Sequence, residues 1–118
     1  MAHKKLDAWK KSISLVVEVY KFTQKFPQSE LYGLTSQIRR SAVSISSNIA
    51  EGCARQSIKE TIQFLHISLG SIAELETQLI IAKELGYIND LEEIVNKLSF
   101  IRGLILGLIK HYKEKEKL

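Results

Sequence analysis

Apolar side chains recur along this chain at three- and four-residue steps, the spacing of one face of an α-helix, and nowhere do they alternate as in a strand. Leu6, Trp9, Ile13, Val16 and Tyr20 trace a heptad-like seam, widened by Leu15, Val19, Phe22 and Phe26, and predict a helix over about 5–26. Pro27, the single proline, stops it, because proline disfavours helical geometry at the residue before it. A second helix is predicted over 32–54, with its core stripe at Leu34, Ile38, Ala42, Ile45 and Ile49. Ser57-Ile58-Lys59-Glu60 is a capping box that opens a third helix, 58–85, with the stripe Ile58, Ile62, Leu65, Leu69, Ile72 and Leu79. Gly86 fits a C-terminal stop. Asn89-Asp90-Leu91-Glu92 announces a fourth, 90–113, whose seam runs through Leu91, Ile94, Leu98, Ile101, Ile105, Leu108 and Tyr112. Four helices with short connections predict an all-α fold, an antiparallel up-down-up-down four-helix bundle occupying residues 1–118 as one domain.

The fourth helix is too apolar for one seam. Between Leu98 and Ile109 nearly every face carries an aliphatic residue. Two readings compete: a wide core-facing stripe, or an interface between copies of the chain. Arg102, Gly103, Leu106, Gly107 and Ile109 are the interface candidates, because the two glycines, four apart, would let another helix approach closely.

Composition narrows the class without supplying a reaction. With 45% apolar and 25% charged residues, the 118-residue chain reads as an ordinary globular domain. The longest apolar run is seven residues, Gly103 to Ile109, against about twenty for a membrane span. One cysteine, Cys53, and a start without a signal-like apolar stretch point to a reducing, cytoplasmic setting. The net charge of +4 is uneven: residues 1–59 hold ten basic and four acidic side chains, a balance of +6, and residues 60–118 hold seven and nine, a balance of −2. Such asymmetry can mark a nucleic-acid or other anionic partner.

Candidate chemistry is sparse. A di-iron bundle needs Glu-x-x-His on two helices, and the residues three before His66 and His111 are Gln63 and Leu108. Cys53 has no Cys or His at zinc spacing and no neighbouring base. No catalytic residue, metal, cofactor or small-molecule substrate is expected. The unusual segment is a polar ridge on the second helix, Arg40, Ser44, Asn48, Glu51 and Arg55, at steps of four, four, three and four. Ser and Asn are poor mid-helix residues, so the ridge needs a reason. It is either a hydrogen-bonded layer between helices or subunits, with Glu51 paired to Arg55 or Arg40, or a set of contacts to phosphate or a partner. Ser68, Ser71 and Glu74 on the third helix are a counterpart.

The stretch containing Glu30-Leu31-Tyr32-Gly33-Leu34-Thr35, Gln37-Ile38-Arg39-Arg40-Ser41-Ala42-Val43-Ser44-Ile45 and Asn48-Ile49-Ala50-Glu51-Gly52 resembles the four-helix-bundle proteins encoded in 23S rRNA intervening sequences. Gly70-Ser71-Ile72-Ala73-Glu74-Leu75-Glu76-Thr77 and Leu85-Gly86-Tyr87-Ile88 fit the same pattern. The resemblance implies a small bacterial bundle without enzymatic activity. Related accessory proteins of diversity-generating retroelements imply a homo-oligomer, a pentamer, that meets nucleic acid and a protein partner. Lys4, Lys5, Lys10, Lys11, Arg39, Arg40, Arg55 and Lys59 are the candidate contacts to an RNA or DNA backbone. The alternative is a protein-interaction scaffold, or an accessory subunit of an enzyme encoded nearby, that binds no nucleic acid directly.

Overall fold

The computed structural model describes His3 and residues 6–118, so Lys4 and Lys5 lie outside the described residues. Four helices follow one another: α1 (Asp7–Thr23), α2 (Leu34–Cys53), α3 (Ile58–Glu84) and α4 (Glu92–Glu116), with a 3₁₀ turn at Gln28–Glu30. Each helix packs against its neighbours in sequence, and α1 closes the cycle against α4. The register across α2 and α3 runs in opposite senses. Ser41 bonds Gln78, Ser44 bonds Ser71, Ile45 bonds Ser68 and Gly52 bonds Thr61, so numbers rise on one helix as they fall on the other. The described residues contain no strand.

The predicted punctuation acts as local chemistry requires. Ser57 Oγ accepts the Glu60 N–H at 3.3 Å and starts α3. Gly86 adopts φ +84° and ends it, with Gly86 N–H donating to Lys83 O and Tyr87 N–H to Ala82 O. α4 begins under Asp90 rather than Asn89, whose place in the predicted box stays unused: Asp90 Oδ1 accepts the Glu92 N–H at 2.9 Å. α1 stops at Thr23, three residues short of expectation, because tight turns through Phe22–Phe26 set the chain up for Pro27. α4 in turn runs on to Glu116, past the expected 113.

The core is aliphatic. Ile38, Ala42, Ile45 and Ile49 of α2 and Leu65, Ile72, Leu75 and Leu79 of α3 are fully buried. Two faces were assigned differently from the sequence. α1 turns Ala8, Ser12, Leu15 and Val19 fully inward, and the heptad seam is split: Leu6, Trp9 and Val16 pack half-buried against the core, whereas Ile13 and Tyr20 face outward. Small inward residues let the helix backbone sit close to its neighbours, and bulkier residues are left on the flank, where Ile13, Val17 and Tyr20 are 38%, 50% and 42% exposed. On α4 the inward seam passes from Ile105 to Ile109, not Leu108. A helix of 3.6 residues per turn drifts about 20° per heptad, so over two heptads the seam turns by about 40°, enough to bring Ile109 nearer the inward direction than Leu108. Ile109, at 4% exposure, is therefore core and is removed from the interface candidates.

Candidate nucleic-acid interface and the polar layer

The α2 ridge faces α3 and meets the serines expected there. Ser44 Oγ and Ser71 Oγ share a hydrogen bond at 2.7 Å, Ser71 Oγ also lies 3.2 Å from Ile67 O, and Asn48 Nδ2 donates to Ser44 Oγ at 2.9 Å and to Ser44 O at 2.8 Å. Asn48, Ser44 and Ser71 are thus linked in one chain of hydrogen bonds across the two helices. Ser41 lies 2.9 Å from both Glu74 Oε1 and Gln78 Oε1, and its single proton serves both acceptors. Ser68 donates to Ile45 O and Thr61 to Gly52 O, each at 2.7 Å. Short side chains make this layer, and they let the helices approach: a Cβ on Gly52 would stand 3.1 Å from Phe64 Cβ and 3.2 Å from Thr61 O.

The ridge's charges sit outside that layer. Glu51 pairs with Arg55 at 2.7 Å on the surface, and Arg55 covers the Phe64 ring at 5.2 Å. Arg40 is exposed and lines an open 340 Å³ groove with Gln37, Ser41, Ser44, Glu74 and Gln78. Arg39 is committed to the fold. Its Nε donates to Thr23 Oγ1 at 2.9 Å and its guanidinium lies 4.6 Å from the Tyr20 ring centre, tying α1 to α2. Lys11 faces the α1–α4 seam, an open 500 Å³ groove it shares with Glu18, Glu93, Lys97 and Phe100. Lys97 bridges that groove to Glu18 at 2.7 Å and pairs with Glu93 of its own helix at 3.2 Å, and both carboxylates push its pKa upward.

The free cations gather by end, not by helix. Antiparallel packing brings the start of α1, the α2–α3 turn and the tail of α4 to one end. Among described residues that end holds eight basic side chains, including Lys10, Lys59, Lys110 and Lys113, and five acidic ones, a balance of +3. The opposite end holds six basic and seven acidic, a balance of −1, with the Glu76–Arg102 ion pair near the middle. The lysines of α4 were missed in the sequence because they lie far from the first 59 residues; only the topology makes them neighbours of Lys10 and Lys59.

The sequence motifs at the opposite end have a structural task. Glu30 accepts the Leu34 N–H with Oε1 at 3.2 Å, capping α2, and accepts the Tyr87 hydroxyl with Oε2 at 2.8 Å. One carboxylate thus pins the α1–α2 connection to the α3–α4 connection. The bond to Glu30, followed by desolvation and the carboxylate's charge, raises the Tyr87 pKa. Since the folded value lies above the unfolded one of about 10, this contribution is complete below pH ~10 and is lost as pH climbs through the folded value. In NMR titrations of ring-labelled tyrosine, Tyr87 is expected to ionise above pH ~10 in the native chain and at lower pH in Glu30→Gln. An unchanged midpoint in that variant would remove the carboxylate as the cause.

Among the described residues, no group of three or more His, Cys, Asp or Glu is placed to hold a metal ion, and no helix is long and apolar enough to cross a membrane. Burial raises the Cys53 thiol pKa, which disfavours the reactive thiolate.

Over residues 4–107 the chain matches the family described as 23S rRNA-intervening sequence protein. Its fold is similar to that of a protein of unknown function from the S23 ribosomal protein family of Bacteroides thetaiotaomicron VPI-5482. That crystal structure is 28% identical, covers 87% of this chain and 95% of its own, and aligns with a TM-score of 0.80. No curated protein matches the chain.

Proposed function

The chain belongs to the 23S rRNA-intervening sequence protein family, and from that premise we propose that it is a cytoplasmic, non-enzymatic homo-oligomer that binds a nucleic-acid backbone. The observation that carries this reading is the polarised bundle, with Lys10, Lys59, Lys110 and Lys113 free at one end and acidic side chains gathered at the other. Lysines reaching phosphates give affinity without reading sequence, and each contact releases counterions. Arg39 and Arg55, already stacked and bonded within the chain, contribute less than their number in the sequence implies.

A filter-binding titration of structured rRNA fragments at several salt concentrations tests the reading. The affinity is expected to fall steeply with salt, and each of Lys59→Ala and Lys110→Ala to reduce the salt slope by about 1. Binding that ignores salt, or slopes that only Arg39→Ala changes, would defeat it. A scaffold role toward a protein partner is the second reading, favoured by Tyr32, whose ring is 94% exposed with no bond to the fold.

A further inference from the structure

Resting on the nucleic-acid reading above, we infer that the α2–α3 groove beside Arg40 takes an unpaired guanine, so that the chain recognises one base as well as holding phosphates. Opposite charges line this groove without meeting. Among the described residues Arg40 makes no hydrogen bond or ion pair, and Glu74 is bonded only by Ser41, at 2.9 Å. Its carboxylate keeps acceptor positions beyond the one that Ser41 uses. Gln78 shares the groove and is 9% exposed. One end of its amide meets Ser41, and the other has no partner among the described residues. A buried amide end calls for a bond, and here the groove is where one can come from.

The lining contains no apolar side chain, so an occupant is held by polar groups rather than by hydrophobic burial. The volume of 340 Å³ sits at the small end of ligand sites, which span about 300–1,000 Å³. Glu74 repels a phosphate and Arg40 repels a cation. What suits both is a neutral planar group with acceptors on one edge and donors on the next. Guanine has two of each: O6 and N7 accept from the fork of a guanidinium, and N1–H and the N2 amine donate to a carboxylate. Adenine would turn an amino group toward Arg40 in place of O6. Cytosine and uracil offer Glu74 a single donor group. In a duplex the N1–H of guanine is committed to cytosine, so the base taken here is unpaired.

The groove is also in reach of the basic end. Arg40 stands about 20 Å along α2 from Cys53, after which the turn leads to Lys59. Ser44, Asn48 and Glu51 mark the same ridge between them. A strand held at Lys59 by its phosphates can lie along this ridge and set one base into the groove.

Fluorescence anisotropy with short uridine-rich RNA carrying one guanine tests the inference. The companion oligomers replace that base by inosine, which lacks the N2 amine, by 7-deazaguanine, which lacks N7, or by adenine. The guanine oligomer should bind about tenfold tighter than the adenine one and about fivefold tighter than either analogue. Glu74→Gln keeps an oxygen for Ser41 and should erase the difference between guanine and inosine. Arg40→Gln should erase the difference between guanine and 7-deazaguanine, and Lys59→Ala should weaken all four oligomers equally. Circular dichroism checks that each variant is folded. Since only the base is bonded, the preference should persist in deoxyribose oligomers, and its loss there overturns the inference. Four equal affinities that fall with salt overturn it too and leave the nucleic-acid reading standing. No binding, or binding that ignores salt, overturns both.

Discussion

Leucine in place of Gly52 will push α2 and α3 apart and lower the unfolding free energy by about 3 kcal/mol, read as a drop in the urea midpoint. The atoms in the way are Phe64 Cβ at 3.1 Å and Thr61 O at 3.2 Å, neither of them the far end of a flexible side chain. Any shift that relieves the clash also stretches the 2.7 Å bond from Thr61 Oγ1 to Gly52 O, and Ser68 to Ile45 O lies on the same helix pair. Gly52→Ala separates the causes. Its single Cβ needs only a few tenths of an ångström, and the helix propensity gained, about 1 kcal/mol, offsets most of that strain. Near-native stability in Gly52→Ala with a large loss in Gly52→Leu is the expected pair. A Gly52→Leu midpoint equal to the native one would mean that these helices are not in close contact.

Truncating two buried isoleucines to alanine should show unequal losses. Ile45, fully buried on α2 where α2 and α3 are in tight register, leaves a cavity its neighbours cannot fill, and Ile45→Ala is expected to cost about 4 kcal/mol. Ile101 is nearly as buried, at 1% exposure, but lines the open 500 Å³ groove between α1 and α4. Water or a shifted Phe100 can occupy the space it vacates, so Ile101→Ala is expected to cost about 2 kcal/mol. In melting temperature these correspond to falls of roughly 15 and 8 °C. Equal losses would show that the α1–α4 seam is as closely packed as α2–α3.

The helices were legible because their signals are local. Stripes at 3.6 spacing mark all four helices, and Ser57 and Gly86 act within one turn of themselves, where the structure keeps both. Which face of α1 turns inward was not legible, since two adjacent stripes were both apolar and the choice depends on what lies opposite. The bundle selected the stripe with Ala8 and Ser12 because small residues permit close approach. Ile109 was misplaced through the slow drift of a helix against a seven-residue repeat. The α2 ridge was readable as a set of residues needing a reason, and its partner Ser71 was in view. The pairing of Ser44 with Ser71 across the helices required coordinates. Glu30 bonding Tyr87, 57 residues away, had no sequence signal beyond the motifs that contain both residues. The gathering of Lys110 and Lys113 with Lys10 and Lys59 likewise followed from topology alone.

Among the described residues, the α1–α4 seam, with its open groove, is also the only packing between helices that are not consecutive in the chain. Every other pairing closes across one connection, residues 24–33, 54–57 or 85–91. Contacts so local keep the entropy of chain closure low, and the four-residue turn keeps it lowest for α2 and α3. That hairpin can assemble as a nucleus before either terminal helix docks. Read in the other direction, detaching α1 or α4 breaks the loosest packing and leaves the serine layer intact. The lowest excited state of the native ensemble is then a partly open form that keeps α2 and α3 zipped and frees a terminal helix.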